Sequence, residues 1–216
     1  MLTGNHAKLQ RPRSRRAHDK VLDSAIALFA DNGIDATSID SIAAHSGVSK
    51  ATIYKHWSDK NALCLEAMGH IHGLDREAPK FDSGDLKQDF IDLLNHKPSE
   101  DQAQLRERLL PHLIAYGARN PEFGFAWRTR VMEPARKQAM ALMDRGIGQG
   151  VFPADLDKVV GLALLLGPML YKHIFRGLGP PPANLAEGVV QAFWRAFAVT
   201  SPAVTSPAVT SAKKRR

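Results

Sequence analysis

Along most of the chain the apolar residues recur every three or four positions, and no segment alternates with period two for long. That spacing lays them on one stripe of an α-helix, whereas a half-buried strand requires a period of two. The pattern predicts an all-α fold. His18, Val21, Leu22, Ala25, Ile26, Leu28 and Phe29 mark a first helix, and Asn32-Gly33 stops it with a residue free to take φ > 0. A second helix starts at Thr37-Ser38, where either hydroxyl can cap it, and turns Ile39, Ile42 and Ala43 inward. Gly47 makes a tight turn, and Ser49 caps a third helix. Ser58 or Asp59 caps a fourth, whose stripe runs Leu63, Ala67, Ile71 and Leu74. Beyond Gly84 the helices lengthen, with expected spans Asp85–Asn95, Glu100–Ala118, Pro121–Gly146, Leu156–Phe175 and Ala183–Val199. Pro111, Pro134 and Pro168 fall inside three of them, where a missing backbone donor kinks or breaks a helix.

A length of 216 residues suits one or two domains, and 44% hydrophobic residues suffice for a real core. The net charge of +7 favours an anionic partner. A single cysteine, Cys64, excludes an internal disulfide framework, and its neighbours Leu63, Leu65 and Met68 predict a buried, inert thiol. The longest apolar run, Val159 to Tyr171, falls short of the roughly 20 residues that cross a bilayer. The first sixteen residues are basic and no apolar run follows them, so no secretory signal is read. A soluble cytoplasmic protein with no membrane association is expected. Residues 1–16, with Lys8, Arg11, Arg13, Arg15 and Arg16 and no acid, predict a flexible basic arm. Residues 200–216 repeat Thr-Ser-Pro-Ala-Val and end in Lys213-Lys214-Arg215-Arg216, which predicts a disordered basic tail. Between these ends, the helices divide into residues 17–62 and residues 63–199.

The second and third helices, joined by Ala44-His45-Ser46-Gly47, form a helix-turn-helix pattern. Ala43 is small enough for a close crossing, and Ile42, Val48 and Ile53 fill the seam. The start of the third helix is then free to enter a major groove of double-stranded DNA. Ser49, Lys50 and Thr52 are placed for base edges, where lysine donates to guanine and threonine suits several partners. Tyr54, Lys55 and His56 lie nearer the phosphates. Free N–H groups at the starts of the second and fourth helices suit phosphate oxygens, and Ser38 and Lys60 add side-chain donors there.

The run from Val21 to Met68 also resembles, without gaps, the N-terminal DNA-binding domain of the TetR family of bacterial transcription regulators. The matching pieces are Ala25 through Phe29, Gly33, Thr37-Ser38, Ile42-Ala43, Gly47-Val48-Ser49, Thr52-Ile53-Tyr54, His56-Trp57, Lys60 and Leu63. Two positions depart from the family pattern: Ala51 stands where glycine is usual, and Trp57 where phenylalanine is. The resemblance puts DNA contacts on Thr37 or Ser38, Ser49, Lys50, Thr52, Tyr54, His56 and Lys60. It also implies a larger C-terminal helical domain that binds a small-molecule effector. That domain would form a homodimer through the last two long helices, Leu156–Phe175 and Ala183–Val199. Such a protein would be a repressor, released by its ligand from a near-palindromic operator. The effector is expected between the middle helices, against Leu109, His112, Leu113, Tyr116, Phe123, Trp127, Val131, Met143, Met169 and Tyr171. Apolar and aromatic walls with a few polar tips suit a drug-like or lipid-like ligand, and they equally suit a helical core.

Enzyme chemistry finds no support in the sequence. No Ser-His-Asp or Cys-His order with a supporting motif occurs, and no Gly-rich phosphate loop. His70 and His72 stand on different helix faces, and His6, His45, His96 and His173 have no partner at metal-ligand spacing. No metal and no cofactor are expected. Sequence-independent coating of DNA, and activation in place of repression, remain open at this level.

Overall fold

A computed structural model describes residues 12–96, 103–174 and 183–199, and the regular elements among them are helical. The first four helices are α1 (Pro12–Asn32), α2 (Ile39–Ser46), α3 (Lys50–His56) and α4 (Lys60–Ile71). They are followed by α5 (Leu86–Asn95), α6 (Ala103–Arg119), α7 (Pro121–Trp127), α8 (Glu133–Gly148), α9 (Lys158–Ile174) and α10 (Leu185–Phe197).

The starts of these helices follow from their capping residues. The Ser38 hydroxyl accepts the N–H of Ser41 at 3.0 Å, while the Ser41 hydroxyl accepts the N–H of Ser38 at 3.1 Å, a reciprocal box at the start of α2. Ser49 caps α3, and Asp59, not Ser58, caps α4 through the N–H of Ala62. Gly47, at φ 68°, supplies the left-handed turn between α2 and α3. One start lies earlier than expected. Helix α1 begins at Pro12, whose missing N–H costs nothing in a first turn, so residues 12–16 are helix and not arm. The rest of the expected arm, and the tail at 200–216, fall outside the described residues.

The three internal prolines behave differently. Helices α6 and α9 run on through Pro111 and Pro168. Pro134 instead follows a widened π turn, Arg128–Met132, that joins α7 to α8. Pro134 has no N–H for the Arg130 carbonyl, and the Glu133 N–H reaches back five residues to Arg128.

Two cores result. The first joins α1, α3 and α4 to α6 and α7, through Phe29, Ile53, Leu63, Met68, Leu109 and Leu113. Cys64 is buried in it, and burial pushes its thiol up to about 12, so it is inert. The second joins α5, α8, α9 and α10 around Phe90, Phe152, Phe193 and Trp194, with the Phe152 and Trp194 rings 5.0 Å apart. The expected division between residues 62 and 63 falls inside the first core. It would cut α4, whose Leu63, Ala67, Met68 and Ile71 all belong to the first core together with α6.

Candidate nucleic-acid interface and effector cavity

Helix α3 is held by one face. Ile53 is fully buried and Trp57, just past its end, is 3% exposed. The Trp57 indole N–H donates to Glu66 Oε2 at 2.7 Å, and the other carboxylate oxygen, Oε1, lies 2.7 Å from His18 Nε2. His18 stacks on the indole with ring centres 4.8 Å apart. The tryptophan that departs from the family pattern thus ties the end of α3 to α1 and α4, a role phenylalanine lacks the polar handle to fill.

The other face of α3 is open. Ser49, Lys50, Ala51, Tyr54 and Lys55 are exposed, and Thr52 is half-buried. The Ser49 hydroxyl accepts the Thr52 N–H and lies 3.0 Å from the Thr52 hydroxyl, so this pair is pre-ordered. Lys50 Nζ sits 2.6 Å from Asp40 Oδ1 of α2, and that hydrogen bond and charge raise the lysine above its usual range. The contact is exposed and weak, so it orients Lys50 without burying it. His56 is half-buried, with Nε2 3.5 Å from the Ser14 hydroxyl of α1. Six residues expected to face DNA, Ser49, Lys50, Thr52, Tyr54, Lys55 and His56, are therefore exposed or half-buried around α3, and Ser38 is exposed at the start of α2.

Two expected DNA contacts are corrected. Thr37 is 1% exposed, and its hydroxyl donates to the Gly33 carbonyl at 2.7 Å. Lys60 Nζ donates to the carbonyls of Ile34 at 2.6 Å and Thr37 at 3.0 Å. Both side chains clamp the α1–α2 loop, and neither is a free donor for phosphate. Helix α6 grips this loop and the helices beside it, α1 and α4. Arg119 pairs with Asp35, and Arg108 pairs with Asp31. The Tyr116 hydroxyl donates to Asn61 Oδ1 at 2.8 Å, and a Cβ on Gly33 would meet His112 Nδ1 at 3.1 Å.

A cavity of about 800 Å³ opens beside α6. Its buried wall is apolar, with Met68 and Ile71 from α4 and Leu109 and Leu113 from α6. Leu93 and Leu94 of α5, Val131 of the π turn and Met169 of α9 complete it. It lies at the seam of the two cores, since Leu93 and Leu94 pack against the second. A volume of this size suits a drug-sized ligand. His72 also lines it. His72 Nδ1 faces the Met68 carbonyl at 2.8 Å and must donate to it, which leaves Nε2 with a lone pair. Burial lowers the His72 pKa and outweighs that hydrogen bond, while the nearby Arg106 charge adds to the lowering.

Of the expected lining residues, Leu109, Leu113, Val131 and Met169 are brought together. The others lie outside this lining. His112 and Tyr116 lie on the side of α6 that grips the α1–α2 loop and its surroundings. Phe123 and Trp127 are buried in the first core, where α7 packs on α6. Met143 is buried in the second core, and Tyr171 is 53% exposed. Aromatic stripes docked helices here instead of lining space. The sequence reading missed the basic lining residues Arg76, Arg106, Arg130 and Lys172, because they come from separate elements with no shared spacing.

Among the described residues, no group of three or more metal-ligating side chains converges, and no helix is long and apolar enough to cross a membrane. Residues 21–67 match the family model described as bacterial regulatory proteins, tetR family. Residues 81–193 match a second, described as tetracyclin repressor-like, C-terminal domain. The chain is 31% identical over 191 residues to the HTH-type transcriptional regulator YdeS of Bacillus subtilis, covering 87% of this chain and 93% of that protein. It is 30% identical over 138 residues to the DNA-binding transcriptional repressor TetR of Mycobacteroides abscessus, covering 64% and 72% of the two chains. The fatty acid degradation regulator FadR from Bacillus halodurans shares the fold, with a TM-score of 0.65 at 19% identity over 87% of this chain and 97% of that one. These matches span both halves of the molecule and name regulators of transcription, not enzymes. The chain belongs to the TetR family of DNA-binding bacterial transcription regulators.

Proposed function

We propose that the protein is a homodimeric repressor that binds a near-palindromic operator and leaves it when a small molecule fills the cavity. One observation carries this reading. The cavity walls Met68, Ile71, Leu109 and Leu113 are members of the same core as Ile42, Ile53 and Trp57, which hold the helix-turn-helix. A ligand that prefers one arrangement of α4 against α6 therefore acts on the recognition helix through packed side chains. That preference between two states is what a ligand needs to shift binding at a second site.

In this reading Ser49, Lys50 and Thr52 meet base edges. Tyr54, Lys55, His56 and Ser38 meet the backbone, together with the free N–H groups of α2. TetR-family regulators bind DNA and work as dimers. An interface on α9 and α10 is supported by Val159, Val160, Leu164 and Tyr171, large apolar residues left 48–65% exposed on α9. Small Ala192 and Ala196 are exposed on α10, where a partner helix can approach closely. Repression, not activation, is favoured by the relative named as a repressor. The protein would act in the bacterial cytoplasm, where its DNA lies.

Selection of bound sequences from random DNA, followed by footprinting, tests this reading. It should recover two inverted half-sites about one helical turn, or a multiple, apart. A monomer by sedimentation that protects a single half-site would contradict it.

A further inference from the structure

We propose that the cavity takes an amphipathic anion, an apolar body carrying one acidic group. The inference rests on the reading of this cavity as the effector site and names the chemistry of its ligand. The buried wall holds Met68, Ile71, Leu109 and Leu113, which offer an apolar body nothing but dispersion and burial. The charged lining has the opposite character. Among the described residues it holds four basic side chains, Arg76, Arg106, Arg130 and Lys172, and two acidic ones, Glu77 and Glu107, an excess of two positive charges.

Two of these bases stand apart from the arginines around them. Arg108, Arg119, Arg136 and Arg145 each face a carboxylate. Arg130 and Lys172 have no such partner among the described residues. Arg130 is exposed and Lys172 half-buried, so both belong to the open side of the cavity. The π turn explains why Arg130 is there. It places Arg130 and Val131 consecutively in the lining, so one widened turn contributes a cation and an apolar contact together. A cation would be repelled by this rim, and a neutral ligand would gain nothing from it. An acid with its carbon body on the α4–α6 wall satisfies both ends.

The probes are decanoate, decanol and decylamine, titrated calorimetrically into the full chain below their aggregation limits, alone and with the selected operator. Decanoate should bind at least about tenfold tighter than decanol, the scale of one charge-assisted contact, and decylamine weakest. Arg130→Gln with Lys172→Gln should reduce decanoate to the affinity of decanol and leave decanol unchanged. Arg128→Gln, on the same turn but outside the lining, should leave decanoate binding as it was. Equal affinity for decanoate and decanol, a preference for decylamine, or no binding of decanoate would overturn the proposal. The effector reading fails separately. Decanoate that binds with the predicted preference yet leaves operator affinity unchanged refutes the effector role while the anion site stands. Decanol or decylamine that binds as well as decanoate and releases the operator does the reverse.

Discussion

The two cores of the molecule are built from different side chains and end differently. The first is gathered from α1–α4, α6 and α7, with its aromatic rings outnumbered by aliphatic residues, and its aliphatic side chains border an 800 Å³ cavity. The second is a nest of aromatic rings, with Phe90, Phe152, Phe193 and Trp194 in mutual edge contact or tilted contact. An ion pair between the buried Asp89 of α5 and Arg145 of α8 closes it. Interlocked rings and a buried ion pair resist small adjustments, whereas aliphatic walls beside open space accept them. On the proposed reading, the first core is the one that adjusts to a ligand, and the second, which includes α9 and α10, stays fixed. Helix α6 stands between, with Leu109 and Leu113 toward the cavity, His112 and Arg119 toward the α1–α2 loop, Arg108 on α1 and Tyr116 on α4.

The largest expected effect breaks the second core. Asp89→Asn leaves Arg145 with a lost partner and should cost about 3–5 kcal/mol in thermal or denaturant unfolding. Burial alone would raise the Asp89 pKa, but hydrogen bonds from Ser83 and Arg145 outweigh it and hold the carboxyl below its usual value. A depressed folded pKa contributes stability that is present above the unfolded value of about 3.9 and is lost as pH falls through the folded one. Stability of the wild type should therefore fall on acidification below about pH 4 more steeply than that of Asp89→Asn.

Next comes the first core. Leu109→Ala, on α6 and fully buried, should cost about 2–5 kcal/mol. Because Leu109 shares the core of α1 and α4, operator binding should weaken in the same variant. Equal destabilisation with unchanged operator binding would separate α6 from the DNA-binding unit.

Smaller effects sharpen the division of labour on the DNA side. Lys50→Ala and Thr52→Ala should each cost about 1–3 kcal/mol on the selected operator and much less on random DNA. Equal losses on both would show that these residues read no sequence. Lys60→Met should weaken operator binding by about 1 kcal/mol through the loosened α1–α2 loop, with the salt slope unchanged. Lys55→Ala should instead lower that slope by about one, as a phosphate contact does.

The helix-turn-helix was legible because its signals are local. Caps at Ser38 and Ser49, a left-handed Gly47 and the Ile42–Ile53 seam all act within a few residues. The exposed face of α3 was legible for the same reason. Thr37 and Lys60 were misplaced because their partners are main-chain carbonyls, and for Lys60 these lie up to 26 residues away. Polarity alone does not separate a donor for phosphate from a donor for a loop. Trp127 and Tyr116 were misplaced because an amphipathic stripe does not say whether its partner is a helix or a ligand. The bases around the cavity were invisible, since Arg106, Arg130 and Lys172 meet only once α6, the π turn and α9 have packed.

Native-state hydrogen exchange across the two cores is the most direct test of the claim that α6 belongs to the DNA-binding unit. Amides of α6 near Leu109 and Leu113 should open with the same free energy as those of α1 and α4, and move with them when Leu109→Ala is introduced. Amides of α8 and α10 should keep a separate value in that variant. Exchange in which α6 follows α8 and α10, with α1–α4 opening independently of it, would contradict the shared core and, with it, the proposed coupling of ligand to operator.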